Sequence, residues 1–367
     1  MIGFIYHVIM AGGSGTRFWP ASRRGKPKQF LALTGVAPMI RQTFERCSLS
    51  GPADRIFVSA GEGQRAQVSA ALPELRSSRF IGEPIARNTA PAVGLSALRI
   101  SIVDPSGVAV FCPSDHVYTD LPAYAAAIER AVAAAAGDEL VTLGIRPTRP
   151  ETGYGYIEAE ASGQGSGALR ASRFIEKPDV VRAAELSRSG VHFWNAGVFI
   201  WRVSSILDAI RRHHPLLFEG LSRIREAAAR SADGAPDPFD APEVWSVVQE
   251  VFASQPSISI DYAVMERADN VLVVPCDAGW SDVGSWDAIA ELGSPDAIGN
   301  VLDGEVIAVE AGGNLVRAGG RLIALVGVSD LIVVDAGDAL LVCRRGESQK
   351  VRDVVAALER RGKGELL

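Results

Sequence analysis

An apolar run that leads directly into a glycine-rich loop constrains the fold of this chain more than any other feature. The run ends in "VIM" at residue 10, and the loop "AGGSGTR" occupies residues 11–17. Glycine adopts backbone angles that other residues resist, so successive N–H groups of such a loop can turn towards one ligand. A buried strand followed by this loop and a helix predicts a βα unit. In open α/β sheets, ligands bind beyond the carboxyl ends of such strands.

Apolar segments alternate with helical patterns along most of the chain. This alternation predicts an α/β fold with a Rossmann-like, mixed and mainly parallel sheet. The predicted strands are residues 4–10, 55–60, 108–113, 140–145, 154–160 and 195–201. The predicted helices are residues 37–47, 62–72, 88–101 and 124–136.

The pattern changes near residue 295. Short apolar strands separated by Gly, Asn and Asp follow, and the chain then reaches the amphipathic stretch "SQKVRDVVAALERRG". We therefore predict two domains, residues 1–295 and a small β-rich domain at residues 296–367 that ends in a helix. A solenoid similar to a left-handed β-helix is one candidate for this β domain. The proline-rich residues 230–242 predict a surface excursion.

Charge and cysteine content restrict the partners and the compartment. A net charge of -6 and a pI near 5.5 argue against a nucleic-acid or membrane-surface binder. The four cysteines stand far apart without metal-type spacing, which predicts buried thiols in a reducing compartment. The N-terminal stretch lacks the pattern of a signal peptide and is too short to span a bilayer. These features predict a cytoplasmic protein.

Five cationic side chains stand in or just after the glycine loop: Arg17, Arg23, Arg24, Lys26 and Lys28. Guanidinium and ammonium groups beside a row of backbone N–H groups favour phosphate oxygens. The loop matches neither the Walker A motif nor the GxGxxG fingerprint. Taken alone, the loop could also be a tight strand-to-helix turn with solvated surface cations. For Arg23, Arg24 and Lys26, long-range attraction of an anion and plain surface charge both stay open.

The longer stretch "AGGSGTRFWPASRRGKPKQFLAL" resembles the signature of sugar-phosphate nucleotidylyltransferases. Its "PKQFL" ending is similar to that of bacterial mannose-1-phosphate guanylyltransferases. Further motifs follow in that family's order: "GEPIARNTAPAVGLSAL", "CPSDHV", "RPTRPETGYGYIE", "RFIEKPD", "FWNAGVFIW", "SIDYAVMER" and "GWSDVGSWDAI". The resemblance covers roughly residues 4–290 and extends to the β-rich tail. It implies the reaction of GTP with mannose 1-phosphate to give GDP-mannose and diphosphate, by in-line attack on the α-phosphorus.

The resemblance also implies roles for individual residues. Arg17, Lys28, Asp115 and Asp282 would be catalytic, and the two aspartates would bind Mg2+, which prefers oxygen ligands. The residues implied in nucleotide binding are Ala11, Gly12, Gly13, Ser14, Gly15, Thr16, Arg17, Lys28, Glu83, Arg87, Asn88, Thr89, Pro113 and Ser114. The residues implied in sugar-phosphate binding are Gly153, Tyr154, Gly155, Glu176, Lys177, Asn195, Gly197 and Asp261.

Structural alternatives stand beside several of these roles. Asp115 could be a turn residue, Asn88 or Thr89 could cap a helix, and Glu176 with Lys177 could form a surface ion pair. Two functional alternatives remain: a nucleotidylyltransferase for another base or sugar, and a silent regulator that binds GDP-mannose. We further expect a monofunctional enzyme without isomerase activity. The apolar tail could form a homodimer surface.

Overall fold

The computed structural model describes residues 3–13, 15–160, 167–231 and 237–367. The chain divides into two compact units. The first draws on Met1–Gly12, Thr43–Ser114 and Tyr118–Trp280, and the second on Gly13–Gln42, Asp115–Val117 and Ser281–Leu367. Each unit has its own hydrophobic core.

A mixed sheet forms the centre of the first unit. Among the described residues its strands are β1 Ile5–Met10, β2 Ile56–Gly61, β3 Phe80–Glu83, β4 Val108–Pro113, β6 Leu140–Ile145, β7 Gly155–Glu160, β8 Leu169–Glu176, β9 His192–Arg202 and β10 Val271–Pro275. The helices of this unit are α2 Arg65–Ala71, α3 Thr89–Val103, α4 Leu121–Ala134, α5 Val180–Arg188, α6 Val203–His213, α7 Pro215–Arg230 and α8 Pro242–Ser254, and a π-helical turn covers Asp261–Met265. Three elements lie where the chain passes from one unit to the other: α1 Met39–Cys47, β5 Val117–Tyr118 and β11 Trp280–Ser281.

The strand order of the sheet is β3-β2-β1-β4-β9-β6-β10-β8-β7. Strand β1 is parallel to β2 and β4, with Met10 beside Ser59 on one side and Pro113 on the other. The carboxyl ends of these buried strands therefore lie at one edge, where Ala11 and Ser114 follow. The predicted mixed α/β sheet is confirmed. Antiparallel ladders dominate the other half, because β9 runs antiparallel to β4, β6 and β7, and β8 runs antiparallel to β7 and β10.

Parallel ladders build the C-terminal part of the second unit. Its strands are β12 Val301–Asp303, β13 Val306–Val309, β14 Leu315–Arg317, β15 Ile323–Val326, β16 Leu331–Asp335 and β17 Leu340–Arg344, and its helices are α9 Trp286–Leu292 and α10 Val351–Arg360. Strands β12, β14 and β16 pair in parallel, as do β13 and β15. Buried asparagines connect successive turns, since the side chain of Asn300 accepts from Asn314 and that of Asn314 accepts from the Leu331 N–H. The predicted C-terminal β domain is confirmed.

The core of the second unit joins two distant parts of the sequence. Phe18, Trp19 and Leu31 pack in one cluster with Leu315 and Ile332 of the β-rich tail. The segment that follows the glycine loop therefore shares one hydrophobic core with that tail. As a boundary between domains, the division between residues 295 and 296 stays a prediction.

The cysteines are free thiols, and Cys47, Cys112 and Cys276 are buried while Cys343 is half-buried. In the part of the chain that the structure describes, no helix has both the length and the apolar character needed to cross a membrane. Part of the predicted excursion at residues 230–242 lies outside the described residues. Within its remainder, α7 ends at Arg230 and α8 begins at Pro242.

Candidate active site

The glycine loop packs tightly against Lys28. Gly15 has a φ of 62°, and a Cβ added there would lie 2.4 Å from the Lys28 Cβ. The Ser22 hydroxyl donates a 2.6 Å hydrogen bond to the Gly15 carbonyl and holds the loop from the other direction. Gly13 also has a positive φ, of 104°, whereas Ser14 lies outside the described residues. Only glycine can therefore occupy position 15 without displacing Lys28.

Lys28 contacts one carboxylate and one backbone group of the two predicted metal ligands. Its Nζ donates to Asp115 Oδ2 at 2.8 Å and to the backbone oxygen of Asp282 at 2.9 Å. Lys28 is only 5% exposed, so this ammonium depends on these two contacts. The sequence implies a role for Lys28 but does not identify the partners of the Lys28 side chain.

The Asp115 carboxyl is ionised in this arrangement. Burial opposes its ionisation, but the Lys28 ammonium, His116 and a backbone hydrogen bond together outweigh that effect and hold the pKa of Asp115 below its usual value. Asp282 lies before Val283, which has a φ of 48°. A β-branched residue seldom adopts a positive φ, and such strained residues concentrate at functional sites. Among the described residues, five that are not glycine have a positive φ, and three of them are Asn88, Lys177 and Val283, each at or beside a predicted site residue.

The atoms next to the Lys28 ammonium are a carboxylate oxygen of Asp115 and the backbone oxygen of Asp282, and oxygen is the donor type that Mg2+ prefers. No group of three or more His, Cys, Asp or Glu residues that could hold a metal occurs within the described ranges. Mg2+ typically takes one or two carboxylates together with substrate phosphates, rather than a dedicated protein cage. The Asp115 carboxylate lies at this position, and the Asp282 carboxylate stays a predicted second ligand.

Three arginines of this segment, Arg17, Arg23 and Arg24, have partners in the second unit. Arg17 is exposed and donates to Gln349 Oε1 at 3.4 Å. Arg23 pairs with Asp338 at 2.7 Å, and Arg24 pairs with Glu359 at 2.7 Å. The sequence left two interpretations open for Arg23 and Arg24, and these ion pairs show that their charges are locally compensated.

The motif around residues 83–89 lies at the start of α3 in the first unit. Asn88 caps this helix, because its Oδ1 accepts from the Thr89 N–H at 2.8 Å. The Thr89 hydroxyl accepts from the Ile260 N–H, and Arg87 donates to two carbonyls, of Phe252 and Ala253. The capping alternative is therefore present in the structure, and the predicted nucleotide-binding roles of these residues stay predictions.

Glu83 ends β3 as a buried carboxyl. The Ser59 hydroxyl donates to its Oε1 at 3.0 Å. Burial raises the pKa of Glu83 from 4.5 to about 7, and this hydrogen bond offsets only part of that effect. The folded chain thus binds a proton at Glu83 that the unfolded chain releases near pH 4.5. Ionisation of Glu83 consequently destabilises the fold as the pH rises.

Glu83→Gln is expected to stabilise the protein at pH 8 and to leave its stability nearly unchanged at pH 5. Glutamine mimics the protonated carboxyl, so the variant avoids a cost that the wild type acquires between pH 4.5 and about 7. The expected gain in the free energy of unfolding at pH 8 is about 2 kcal/mol. Urea denaturation at both pH values measures it. An equal effect of the substitution at pH 5 and pH 8 would contradict the assignment.

The predicted sugar residues form a connected group in the first unit. Asn195 Nδ2 donates to Asp261 Oδ1 at 2.8 Å, and Asn195 Oδ1 accepts from the Gly197 N–H at 3.0 Å. Gly155 pairs with Glu176 across the β7–β8 ladder, and a Cβ at Gly155 would lie 2.5 Å from Glu176 Oε2.

Two carboxyls of this group influence each other. Burial, assisted by the negative charge of Glu176, raises the pKa of Asp261 to about 6. Lys177 Nζ lies 3.0 Å from Glu176 Oε1, and the Lys177 side chain is exposed, so this pair also matches the surface ion pair considered above. Gly153 is exposed and Tyr154 is half-buried.

Thr142 supports this group but was not predicted from the sequence, whereas Tyr154 was predicted without its ring partners. The Thr142 hydroxyl on β6 lies 3.2 Å from Asn195 Oδ1 and 2.9 Å from the Val198 carbonyl oxygen. The rings of Tyr154, Trp194 and Trp280 pack edge-on, with Tyr154 5.2 Å from each tryptophan. A lone threonine inside an apolar strand was the available sequence signal for Thr142.

Known proteins resemble the chain along nearly its full length. A family model described as nucleotidyl transferase matches residues 6–297, and one described as a MannoseP isomerase/GMP-like beta-helix domain matches residues 304–358. The xanthan biosynthesis protein XanB of Xanthomonas campestris pv. campestris is 41% identical over 360 residues, which cover 98% of this chain and 74% of XanB. The mannose-1-phosphate guanylyltransferase of Escherichia coli K12 is 39% identical over 369 residues, covering 98% of this chain and 75% of the relative.

A solved structure gives the same result. A Thermus thermophilus protein, described as a mannose-1-phosphate geranyltransferase, superposes with a TM-score of 0.86 at 36% identity. The match covers 97% of this chain and 99% of that one. The similarity therefore extends well beyond the glycine-loop motif.

Proposed function

The chain belongs to the nucleotidyl transferase family, and we propose that it transfers the guanylyl group of GTP to mannose 1-phosphate, forming GDP-mannose and diphosphate. The observation that carries this proposal is the contact of the buried Lys28 ammonium with the Asp115 carboxylate and with the backbone oxygen of Asp282. The name of the Escherichia coli relative supports the choice of substrates.

Two anions must approach each other in this reaction. A phosphate oxygen of the sugar attacks the α-phosphorus of GTP in line, and diphosphate leaves on the opposite side. Catalysis of such a transfer consists mainly of positioning and charge neutralisation. The phosphate group of mannose 1-phosphate is already an anion near neutral pH, so no residue needs to remove a proton.

The glycine loop would bind the triphosphate through its N–H groups. Arg17 is exposed, and its side chain donates a long hydrogen bond to Gln349, so it can turn to a phosphate at little cost. Lys28 would place positive charge beside the leaving diphosphate. Mg2+ bound by the carboxylates of Asp115 and Asp282 would neutralise charge on the phosphate oxygens.

The carboxyls of Glu176 and Asp261 would accept hydrogen bonds from mannose hydroxyls. Their proximity, expressed in the raised pKa of Asp261, provides acceptors in one small region. The absence of a side chain at Gly155 leaves Glu176 Oε2 unobstructed. Lys177 would reach the sugar phosphate.

We place the reaction in the cytoplasm, where GTP is abundant and buried thiols such as Cys47, Cys112 and Cys276 stay reduced. A homodimer stays a prediction.

Diphosphate release with a panel of substrates tests the proposed function. The panel pairs GTP, ATP and dTTP with mannose 1-phosphate and glucose 1-phosphate in the presence of Mg2+, and Asp115→Asn serves as the inactive control. We expect release with GTP and mannose 1-phosphate at least about 100-fold faster than with any other pair. Faster turnover of another pair would identify a different base or sugar. No turnover together with tight binding of GDP-mannose would identify a regulator.

A further inference from the structure

Arg46 is a buried cation without an acidic partner among the described residues. It lies on α1 and is 4% exposed. Its guanidinium lies over the rings of Tyr118 and Tyr124, at 4.9 and 5.4 Å from their centroids. Burying a charge without a counter-ion is costly, so the position of Arg46 requires an explanation beyond packing.

The one hydrogen bond of the Arg46 side chain within the described residues leads to Thr43. Arg46 Nη2 donates to Thr43 Oγ1 at 3.0 Å, and the two residues lie one turn apart on α1. Thr43 is fully buried, and its hydroxyl donates to the Ser114 carbonyl oxygen at 3.1 Å. A hydroxyl has one proton. The bond accepted from Arg46 therefore orients that proton towards Ser114 and strengthens the second bond.

The carbonyl of Ser114 belongs to the peptide group that leads into Asp115. The Ser114 N–H donates to the Met10 carbonyl at 3.1 Å, at the end of β1. The Ser114 hydroxyl is buried and has no partner among the described residues, so the side chain does not anchor this turn. The orientation of the Ser114–Asp115 peptide consequently depends on its backbone bonds, and Thr43 holds its carbonyl.

From this relay we infer that Thr43 and Arg46 are positioning residues that orient the Asp115 carboxylate for metal binding through the Ser114–Asp115 peptide. The inference rests on the proposed function in one respect, namely that Asp115 binds the divalent ion. Neither side chain needs to touch the substrates. Removal of the relay should therefore weaken the metal site while the affinity for mannose 1-phosphate is maintained.

Thr43→Val and Thr43→Ser form a matched pair for the test. Valine keeps the shape of threonine but lacks the hydroxyl, whereas serine keeps the hydroxyl. The first readout is Mn2+ affinity, from the EPR signal of free Mn2+ with the protein and an unreactive GTP analogue. The second is the Mg2+ concentration at half-maximal turnover. We expect Thr43→Val to lower the Mn2+ affinity about tenfold and to raise the Mg2+ concentration at half-maximal turnover by about the same factor. The KM for mannose 1-phosphate should change less than about twofold. Thr43→Ser should keep both values close to those of the wild type.

Arg46→Met provides a second line of evidence. Replacement of an unpaired buried charge by an apolar side chain of similar length should leave the melting temperature unchanged or raise it. If Arg46 had only a structural role, Arg46→Met would leave the Mn2+ affinity unchanged. If Arg46 acts through the relay, the substitution should weaken Mn2+ binding as Thr43→Val does. The double variant should bind Mn2+ no more weakly than either single variant, because both substitutions interrupt the same chain of hydrogen bonds.

Three results would overturn the inference. They are wild-type Mn2+ affinity in Thr43→Val, equal losses in Thr43→Val and Thr43→Ser, and wild-type Mn2+ affinity in Asp115→Asn. The Mn2+ measurement involves no turnover. Failure of the wild type to use mannose 1-phosphate would thus refute the proposed function and leave this comparison intact.

Discussion

Asp115→Asn should lower kcat by about a thousandfold or more, even at high Mg2+ concentration. Asparagine retains the shape of aspartate but removes the negative charge that would attract the metal. It also removes the anion that holds Lys28 at 2.8 Å. Steady-state diphosphate release at increasing Mg2+ concentrations measures the effect. If kcat stayed within about tenfold of the wild type, the metal-binding role of Asp115 would be wrong.

The same variant should also be less stable, for a separate reason. Its buried Lys28 ammonium would lose its ionic partner, and because Asp115 is partly exposed we expect a loss of about 2 kcal/mol in the free energy of unfolding. Lys28→Met in the Asp115→Asn background should restore stability without restoring turnover.

Asp282→Asn is the matched control for this pair of effects. Lys28 contacts the backbone oxygen of Asp282, and the substitution leaves that contact in place. We therefore expect a large loss of turnover, while Lys28 keeps its ionic partner Asp115 and the loss of stability caused by removing that anion does not occur. Urea denaturation of Asp115→Asn and Asp282→Asn measures the loss of charge compensation at Lys28. Turnover of the same variants measures the loss of metal binding.

Several buried strands of the sheet were predictable because their environment is uniform, although the buried strands β3 and β10 were not predicted. Strands β1 and β4 are covered on both faces, so each is a continuous apolar run with bounds close to those predicted. Strand β8 was not predicted. Its residues Leu169–Glu176 are mostly half-buried or exposed, so polar side chains interrupt any periodic signal.

The residues of the candidate site were accessible to sequence analysis, but their partners were not. The motifs suggested Lys28 and Asp115 individually, yet the two are 87 residues apart and nothing local indicates that they pair. The same holds for Arg24 and Glu359, which are 335 residues apart. Arg46 was not predicted as a functional residue, because a cation on a helix usually extends into solvent. Only the fold shows that the Arg46 side chain is buried.

Gly15→Ala should reduce kcat/KM for GTP by about 100-fold, because the methyl group has no room. The added Cβ would lie 2.4 Å from the Lys28 Cβ and 3.1 Å from the Lys28 nitrogen. Lys28 begins a helical turn at residues 28–30, and its ammonium is held at its far end by Asp115, so it cannot simply move aside. A φ of 62° costs an alanine roughly a further 1 kcal/mol. Initial rates at varied GTP concentration measure the loss.

Gly12→Ala separates the clash from a general effect of altering the loop. A Cβ at Gly12 would meet no heavy atom of the described residues within 4 Å, and its φ lies outside the left-handed region. We therefore expect kcat/KM for GTP to fall less than about fivefold in this variant, whose methyl group displaces nothing. Equal losses in the two variants would show that the loop acts through its flexibility or its contact with phosphate. A loss confined to Gly15→Ala would show that the loop acts by fixing Lys28 beside Asp115.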